Sequence, residues 1–285
     1  MRKQQFLVTG AEGQLGRELV RELGKLPTAE VTGAGRAELD VSQRDQVMAA
    51  VEGVSPDVII HAAAWTAVDA CEDDPARAMA VNAFGTRNVA DASRRYGSHI
   101  VYISSDYVFD GSAGRPYSEW DLPAPLSVYG RSKLGGEQEA GPGSTVVRTS
   151  WVCGAQGANF VSTMRRLARG GAEIKVVDDQ WGSPTFAAEL ASTVVRLGLD
   201  RRSGVWHVTN QGETNWYEFA RAVFADTGAD PDRVVPISTS QLDPPRAAQR
   251  PARSTLDNTA LRAAGLPLAL PWREGLRALI GSLGD

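Results

Sequence analysis

Phe6-Leu7-Val8-Thr9-Gly10-Ala11-Glu12-Gly13-Gln14-Leu15-Gly16 is the stretch of sequence that decides the fold. Its first four residues predict a short strand, and an amphipathic helix is predicted from about Gly13 to Gly24. The G-x-x-G-x-x-G spacing between them is typical of a loop that holds a dinucleotide phosphate. Gly10 permits the tight turn, Gly13 lets the backbone approach the pyrophosphate, and Gly16 allows the helix to pack closely on the strand. The free N–H groups at the helix N-terminus then face the phosphates.

Short apolar strands and longer amphipathic helices continue to alternate after this loop. Strands are predicted at 31–32, 58–60, 100–104 and 145–148, and helices at 43–51, 75–96 and 128–139. A helix at 160–168 and a strand at 174–177 continue the pattern less regularly. Such alternation is typical of βαβ units around a parallel sheet. We therefore predict an α/β fold, a Rossmann-like doubly wound parallel sheet.

The second half of the chain has a different character. Beyond Asp178, eight prolines separate short predicted helices and a few strands, such as 205–208 and 234–237. This change predicts a smaller C-terminal substrate-binding lobe. We expect residues 1–150 to form the NAD(P)-binding Rossmann domain and residues 151–285 the substrate-binding region, with 174–198 partly returning to the sheet.

Composition excludes several classes of protein. The net charge of −4 and the pI of about 5.5 provide no basic surface for nucleic acid. No apolar run approaches the roughly 20 residues that span a bilayer, and no export signal is expected at the N-terminus. Cys71 and Cys153 lie far apart and outside any metal-ligand spacing, which predicts two free thiols and no metal site. We expect a cytoplasmic protein without nucleic-acid or membrane partners, and leave open whether it forms a homodimer.

The type of dinucleotide is indicated by the residues that follow the second predicted strand. About 20 residues beyond the glycine loop, such folds place either an acid that binds the adenosine 2′-hydroxyl or an arginine that binds a 2′-phosphate. Gly33-Ala34-Gly35-Arg36 occupies this window, and a guanidinium can bind a phosphate in bidentate fashion. Arg36 therefore favours NADPH, whereas Asp40 close behind it keeps NADH open. Asp40 and Val41 are predicted to lie at the adenine edge.

Tyr129-Gly130-Arg131-Ser132-Lys133 is the second motif that carries chemistry. It places a phenol and an ammonium group four residues apart on one face of the predicted helix. A phenol with a pKa near 10 is a poor acid-base catalyst, but a neighbouring cation lowers its pKa. A third group is expected where the strand before it ends, because ligands bind at the carboxyl ends of parallel strands. Both Ser104 and Ser105 lie there, and spacing does not decide which hydroxyl orients a substrate carbonyl.

These motifs, together with several others, resemble the extended short-chain dehydrogenase/reductase superfamily and, within it, the dTDP-4-dehydrorhamnose reductase family. Two segments are the most specific, Asp106-Tyr107-Val108-Phe109-Asp110-Gly111 and Asp178-Asp179-Gln180-Trp181-Gly182-Ser183-Pro184-Thr185. The resemblance extends over nearly the whole chain, at 8–16, 39–41, 62–69, 81–83, 105–111, 129–133, 148–151, 178–185 and 250–251.

The resemblance implies an NADPH-dependent oxidoreductase that catalyses the last step of dTDP-L-rhamnose biosynthesis. Its substrate would be dTDP-4-dehydro-L-rhamnose, whose C4 ketone is reduced. Three alternatives remain. The chain could be a reductase of an antibiotic pathway that acts on another dTDP-4-keto-6-deoxy sugar, or an NAD-dependent epimerase or dehydratase. It could also be a regulatory subunit that binds NADP without catalysis. By resemblance, Ser105 rather than Ser104 joins Tyr129 and Lys133 as the catalytic set.

The resemblance also assigns the binding residues. The cofactor would contact Gly10, Gly13, Gln14, Leu15, Gly16, Arg36, Asp40, Val41, Ala62, Ala63, Ala64, Asn82, Tyr129 and Lys133. The sugar nucleotide would contact Asp106, Tyr107, Trp151 and Arg253. Arg246, Arg250 and Trp181 are further candidates, since arginines pair with phosphates and an indole stacks on a thymine.

Overall fold

The computed structural model describes residues 2–284. The strands are β1 (Gln4–Thr9), β2 (Ala29–Ala34), β3 (Val58–His61), β4 (His99–Ser105), β5 (Thr145–Thr149), β6 (Val152–Cys153), β7 (Ile174–Val177), β8 (Trp181–Gly182), β9 (Thr185–Phe186), β10 (Gly204–His207), β11 (Thr214–Asn215) and β12 (Val234–Ile237). The α-helices are α1 (Gln14–Gly24), α2 (Arg44–Val54), α3 (Val68–Asp73), α4 (Pro75–Met79), α5 (Gly85–Tyr96), α6 (Val128–Ala140), α7 (Phe160–Ala168), α8 (Ala187–Leu199), α9 (Trp216–Asp226), α10 (Thr259–Ala263) and α11 (Trp272–Ser282).

The central sheet has six parallel strands in the order β10-β5-β4-β3-β1-β2. Alternate side chains of β1 enter different cores: Phe6 and Val8 pack with α1 and α8, whereas Leu7 packs with α2 and α5. Helices thus cover both faces, and the predicted doubly wound fold is confirmed. The strand order reverses between β1 and β3, where Thr9 and His61 end their strands. Ligands of such sheets bind in the crevice at this point.

The helix predicted at 75–96 is interrupted in the structure by a π-helical turn. α4 is followed by the turn Ala80–Phe84, and α5 then continues directly. Thr86 Oγ1 donates a hydrogen bond to the Asn82 carbonyl across this turn, at 2.7 Å. Single π-turns inside α-helices are frequent at functional sites. Hydrophobic spacing alone does not reveal one extra residue in a helical turn.

The C-terminal lobe has its own apolar core, to which α7, α9 and α11 contribute. β7 does not join the central sheet but pairs with β12 at a small two-stranded sheet. The part of 174–198 that returns is α8, which packs on α1 against the central sheet. Beyond it, β10 pairs with β5. Short apolar strands carry no information about which sheet they join, so 174–177 was placed wrongly within 174–198. Among residues 2–284, none of the helices combines the length and apolar character needed to cross a membrane.

Candidate active site

The glycine loop has the close approaches that the sequence predicts. Gly10 has a φ of 69°, and a Cβ at this position would lie 2.7 Å from the Ala63 nitrogen. A Cβ at Gly16 would lie 2.1 Å from the Gly10 carbonyl oxygen, so the helix packs directly on the turn. A Cβ at Gly13 would meet only that same oxygen, at 3.2 Å, and its other side is open. The backbone is therefore accessible at Gly13, where α1 begins.

Two adjoining cavities of about 330 and 350 Å³ lie along the carboxyl ends of the central strands. They share Gly10, Gly13, Ala62 and Ala64, so together they form one groove across the switch point of the sheet. The larger cavity is also lined by Ala63, Arg36, Asp40 and Val41, and the smaller one by Gln14, Leu15, Gly16, Ser105, Asp106, Tyr129, Lys133 and Trp151. Most of the predicted site residues therefore meet in this groove.

Arg36 and Asp40 differ in whether their charged groups already have hydrogen-bond partners. The Asp40 carboxylate accepts hydrogen bonds from the Ser42 hydroxyl at 2.7 Å and the Ser42 amide at 3.0 Å, and these bonds lower its pKa. Arg36 is exposed at the rim of the larger cavity. One oxygen of Asp40 is thus already occupied, while the guanidinium of Arg36 stands where an anion can reach it.

Tyr129 and Lys133 lie on the buried face of α6, at the inner end of the smaller cavity. Lys133 Nζ donates to the Ile103 carbonyl at 2.7 Å and lies 4.3 Å from the centroid of the Tyr102 ring. Burial lowers the pKa of Lys133 to about 7. Burial also raises the pKa of Tyr129, and a hydrogen bond with Ser105 opposes that rise. The expected lowering of the Tyr129 pKa by the lysine is therefore wrong for this geometry, because desolvation of the phenolate dominates.

The structure separates the two serines at the end of β4. Ser104 Oγ donates a hydrogen bond to Glu137 Oε1 on α6, at 2.6 Å. Ser105, the next residue, accepts a hydrogen bond from the Tyr107 amide at 3.1 Å and interacts with the Tyr129 phenol. Both serines line the smaller cavity, but Ser105 is the hydroxyl beside Tyr129, whereas the Ser104 hydroxyl already donates to Glu137.

Asp106 lines the cavity but does not present a free carboxylate to it. Ser105 Oγ donates to Oδ1 at 2.9 Å, and Ser254 Oγ donates to Oδ2 at 2.5 Å. Burial raises the pKa of Asp106 to about 6, although both serine hydrogen bonds act in the opposite direction. The carboxylate therefore orients the Ser105 hydroxyl and connects the site to the C-terminal lobe.

Two residues that the resemblance assigns to the cofactor hold protein segments in place. Asn82 Oδ1 accepts from the Trp65 amide at 2.7 Å, and Nδ2 donates to the Trp65 carbonyl at 3.0 Å and to Ser132 Oγ at 2.9 Å. Gln14 Oε1 accepts from the Gly154 amide at 2.8 Å and from Asn159 Nδ2 at 3.0 Å. Asn82 lines neither cavity of the groove; its side chain fixes the loop that follows β3. Gln14 joins the glycine loop to the C-terminal lobe.

The predicted substrate residues are divided between the groove and its surroundings. Trp151 lines the smaller cavity with a φ of 47°, a conformation that few non-glycine residues adopt. Its indole stacks on Trp216, with ring centroids 3.6 Å apart. Arg253 is not brought into the groove: it forms a bidentate ion pair with Glu213, at 3.1 and 2.5 Å. Trp181 hydrogen-bonds through its backbone amide to the Ala252 carbonyl at 2.8 Å and lines neither part of the groove.

A third cavity, of about 370 Å³, lies beside the smaller cavity of the groove, and Tyr107, Phe160, Trp216, Arg246 and Arg250 are among its lining residues. Arg250 binds both carboxylate oxygens of Asp69, at 3.0 and 2.7 Å. Arg246 is exposed, and its guanidinium lies 3.7 Å from the same carboxylate. Aromatic rings and two guanidinium groups therefore surround this cavity.

Thr149 is a site residue that the sequence reasoning missed. It ends β5, lines the smaller cavity and is 4% exposed, yet its hydroxyl has no hydrogen-bond partner among the described residues. A buried hydroxyl without a partner is costly, and this one belongs to a residue in the wall of the smaller cavity. Its position at the carboxyl end of a central strand was the signal that could have identified it.

The groove fits a dinucleotide on three grounds. The backbone at Gly13 is open, the N-terminus of α1 faces the groove, and Arg36 stands at the rim of the larger cavity. Within residues 2–284, no cluster of three or more His, Cys, Asp or Glu side chains is placed to hold a metal ion. Cys71 and Cys153 are both buried and unpaired.

The chain is similar to one family of known proteins and to individual reductases. The family model described as "RmlD substrate binding domain" matches residues 4–284. The chain is 44% identical over 292 residues to the dTDP-4-dehydrorhamnose reductase of Streptomyces griseus, covering 98% of this chain and 95% of the relative. It is 40% identical to the dTDP-4-keto-6-deoxy-D-glucose reductase of Streptomyces niveus, covering 95% of this chain and 94% of the relative.

A solved structure extends the comparison to the fold. The crystal structure of the dTDP-4-dehydrorhamnose reductase of Bacillus anthracis in complex with NADP superimposes with a TM-score of 0.94. The two sequences are 39% identical, and the match covers 98% of this chain and 99% of the other. The similarity therefore includes both the Rossmann part and the C-terminal lobe.

Proposed function

The chain belongs to the RmlD substrate binding domain family, and on that premise we propose that it reduces the C4 ketone of dTDP-4-dehydro-L-rhamnose with NADPH. The product is dTDP-L-rhamnose, and the reaction is the last step in the synthesis of this activated sugar. The protein is thus an oxidoreductase of the extended short-chain dehydrogenase/reductase type. Its partner is a dTDP-linked 4-keto-6-deoxy sugar.

One observation carries the proposal: Ser105, Tyr129 and Lys133 line the same cavity as the glycine loop. The loop and the N-terminus of α1 would hold the pyrophosphate, and Arg36 would hold the 2′-phosphate of the cofactor. NADPH supplies the hydride when it is bound in this groove. The ammonium group of Lys133 would hydrogen-bond the adjoining ribose.

The two hydroxyls beside each other explain how the ketone is activated. Tyr129 is placed to donate a hydrogen bond to the carbonyl oxygen, and Ser105 lies beside it. In the structure the single hydroxyl proton of Ser105 points to Asp106, so it would turn from that carboxylate to the carbonyl oxygen when the ketone binds. The raised pKa of Tyr129 keeps its phenol protonated near neutral pH, which suits a proton donor. An alkoxide is far more basic than a phenolate, so the proton moves from Tyr129 to the oxygen at C4 as the alcohol forms.

The remainder of the sugar nucleotide would extend from the groove to the third cavity. Trp151 would pack against the sugar ring. Tyr107 lines the third cavity and makes an edge-on contact with Tyr129, which lines the smaller cavity. Arg246 lines the third cavity and is exposed, so it would pair with the diphosphate. Arg250 also lines this cavity, but it would have to release Asp69 to bind a phosphate. In the structure Arg253 is paired with Glu213, so a role for it in substrate binding requires that ion pair to open.

The direct experiment compares the wild type with Tyr129→Phe. The variant removes one hydroxyl and keeps the ring, so we expect NADPH to bind with nearly the same Kd while turnover falls by about 10²- to 10⁴-fold, the range of general acid catalysis. Binding is followed by NADPH fluorescence and turnover by loss of NADPH absorbance. Activity near that of the wild type would remove Tyr129 from the proposed role.

A second candidate is a 4-ketoreductase for another dTDP-4-keto-6-deoxy sugar, favoured by the 40% identity to the reductase of Streptomyces niveus. Product identification with a panel of dTDP-4-keto-6-deoxy sugars separates the two. The highest kcat/KM with dTDP-4-dehydro-L-rhamnose supports the first candidate. No NADPH consumption with any of these sugars would favour a regulatory subunit, and a new sugar without NADPH consumption would favour an epimerase.

A further inference from the structure

A buried ion pair lies behind the catalytic residues. Arg148 on β5 donates to Glu137 on α6 from Nε at 2.8 Å and from Nη2 at 2.7 Å. The two side chains are only 4% and 8% exposed. Burying an ion pair costs desolvation energy that its attraction often fails to recover, so a buried pair is weak evidence for a gain in stability. Its position beside the site points instead to a role in the reaction.

The pair is connected to the catalytic lysine through neighbouring residues of one helix and one strand. Glu137 follows Lys133 by one turn of α6, a spacing that puts both side chains on the same face. Lys133 Nζ donates a hydrogen bond to the Ile103 carbonyl. The next residue of β4 is Ser104, whose hydroxyl donates a hydrogen bond to Glu137. Lys133 and Glu137 therefore contact adjacent residues of β4 from the same face of α6.

The groups that surround Lys133 leave Glu137 as its main charged neighbour. From β3, His61 is fully buried and its pKa is lowered to about 3, so it is neutral near pH 7. From β4 and α6, Tyr102 and Tyr129 are buried phenols whose pKa values are raised, so both are neutral as well. The guanidinium of Arg148 is paired with Glu137 and not with Lys133.

We propose that Glu137 is a positioning residue that keeps the Lys133 side chain in its charged form, and that Arg148 limits the strength of this effect. The catalytic role of Lys133 itself rests on the proposed function. Ser104 holds the carboxylate in place but contributes no charge. In this arrangement Ser104 acts on the site through Glu137.

The sign of the effect follows from the two opposing influences on Lys133. Burial lowers its pKa to about 7, and the charge of Glu137 raises it. Charges of opposite sign about 6 Å apart, at an effective dielectric constant of about 20, shift a pKa by roughly two units. Arg148 cancels about half of this, so removal of the carboxylate alone is expected to lower the titration midpoint of Lys133 by about two pH units, and removal of both charges by about one. The loss of activity on the alkaline side, where the ammonium group is deprotonated, would then begin at a lower pH.

The experiment measures that midpoint directly by NMR. The chain has four lysines, so ¹³C-lysine labelling gives four Cε signals, and Lys133→Met identifies the signal of interest. The titration is run with and without bound NADP⁺ on the wild type, Glu137→Gln, Arg148→Met, the double variant and Ser104→Ala. The double variant avoids a lone buried charge, which makes it the safer test if either single variant fails to fold.

The expected shifts have opposite signs. Glu137→Gln should lower the Lys133 midpoint by about two pH units and the double variant by about one, whereas Arg148→Met should raise it because the carboxylate is then uncompensated. Ser104→Ala is the matched control, because it removes a hydrogen bond to Glu137 and keeps both charges. A midpoint in the folded double variant that equals that of the wild type would overturn the proposal.

Turnover distinguishes this inference from the proposed function. If the wild type does not consume NADPH with a dTDP-4-keto sugar, the proposed function fails, while the NMR titration still tests the link between Glu137 and Lys133. If the wild type is active, the alkaline limb of its kcat profile should move to lower pH in the double variant. An active double variant with an unmoved alkaline limb would overturn the inference alone.

Discussion

Gly182→Ala is expected to displace Trp151 and so to weaken substrate binding. An ideal Cβ at position 182 would lie 2.7 Å from Cε2 and 2.8 Å from Cζ2 of the Trp151 indole. Carbon atoms in contact are separated by about 3.5–4.0 Å, so strand β8 or the indole must move by roughly 1 Å. Trp216 is already stacked on the indole, which limits where it can go.

Two magnitudes follow from this displacement. Overpacking of a filled site costs about 1–3 kcal/mol in the free energy of unfolding. A misplacement of roughly 1 Å in a binding site can reduce kcat/KM by as much as about 10²-fold. We therefore expect a higher KM for the sugar nucleotide and a lower Tm, with an unchanged Kd for NADPH, because Gly182 lies outside the glycine loop.

The matched control is Gly171→Ala, which lies in the turn before β7 and whose Cβ would meet nothing within 4 Å. Steady-state kinetics, NADPH titration and thermal unfolding are measured on both variants. The control should behave as the wild type in all three. Unchanged kinetics and an unchanged Tm in Gly182→Ala would show that the indole does not need this glycine, and would refute the reasoning.

Three further predictions address the groove, the cofactor and acid stability. Ser105→Ala should lower kcat by about 10²- to 10³-fold, as removal of an oxyanion donor does, whereas Ser104→Ala should retain most of it; equal losses would contradict the assignment. Arg36→Ala should raise the Kd for NADPH by about 10- to 100-fold with little change for NADH, measured by fluorescence; equal losses for both would exclude a contact to the 2′-phosphate. Burial lowers the pKa values of His61 and His207 to about 3, so the folded state binds fewer protons than the unfolded state between about pH 6.5 and 3. Urea midpoints should therefore fall as the pH drops through this window, and a flat profile would contradict the neutral buried imidazoles.

The parts of the site that sequence predicts well are local in the chain. Gly10, Gly13 and Gly16 belong to one turn, and Tyr129 and Lys133 belong to one helical face. Their geometry follows from backbone conformation and helix periodicity, which neighbouring residues determine. The fold class could be predicted for the same reason, because each βαβ unit is itself a local pattern.

The parts that sequence does not predict depend on partners distant in the chain. The choice between Ser104 and Ser105 is made by Glu137, 33 residues further along the chain from Ser104. The charge of Arg253 is directed to Glu213, 40 residues away. Spacing within a motif contains no information about such pairs. The same limit applies to β7, whose partner strand β12 lies in the lobe rather than in the central sheet.

The central claim is that this groove reduces a sugar ketone at C4. NADPH carrying deuterium at C4 of the nicotinamide, prepared separately with each stereochemistry, tests it most directly with dTDP-4-dehydro-L-rhamnose as substrate. The account predicts dTDP-L-rhamnose with one deuterium at C4 of the sugar from one of the two forms, and no transfer in Tyr129→Phe beyond the residual rate. Product without deuterium from both forms, or with deuterium at another sugar carbon, would contradict it.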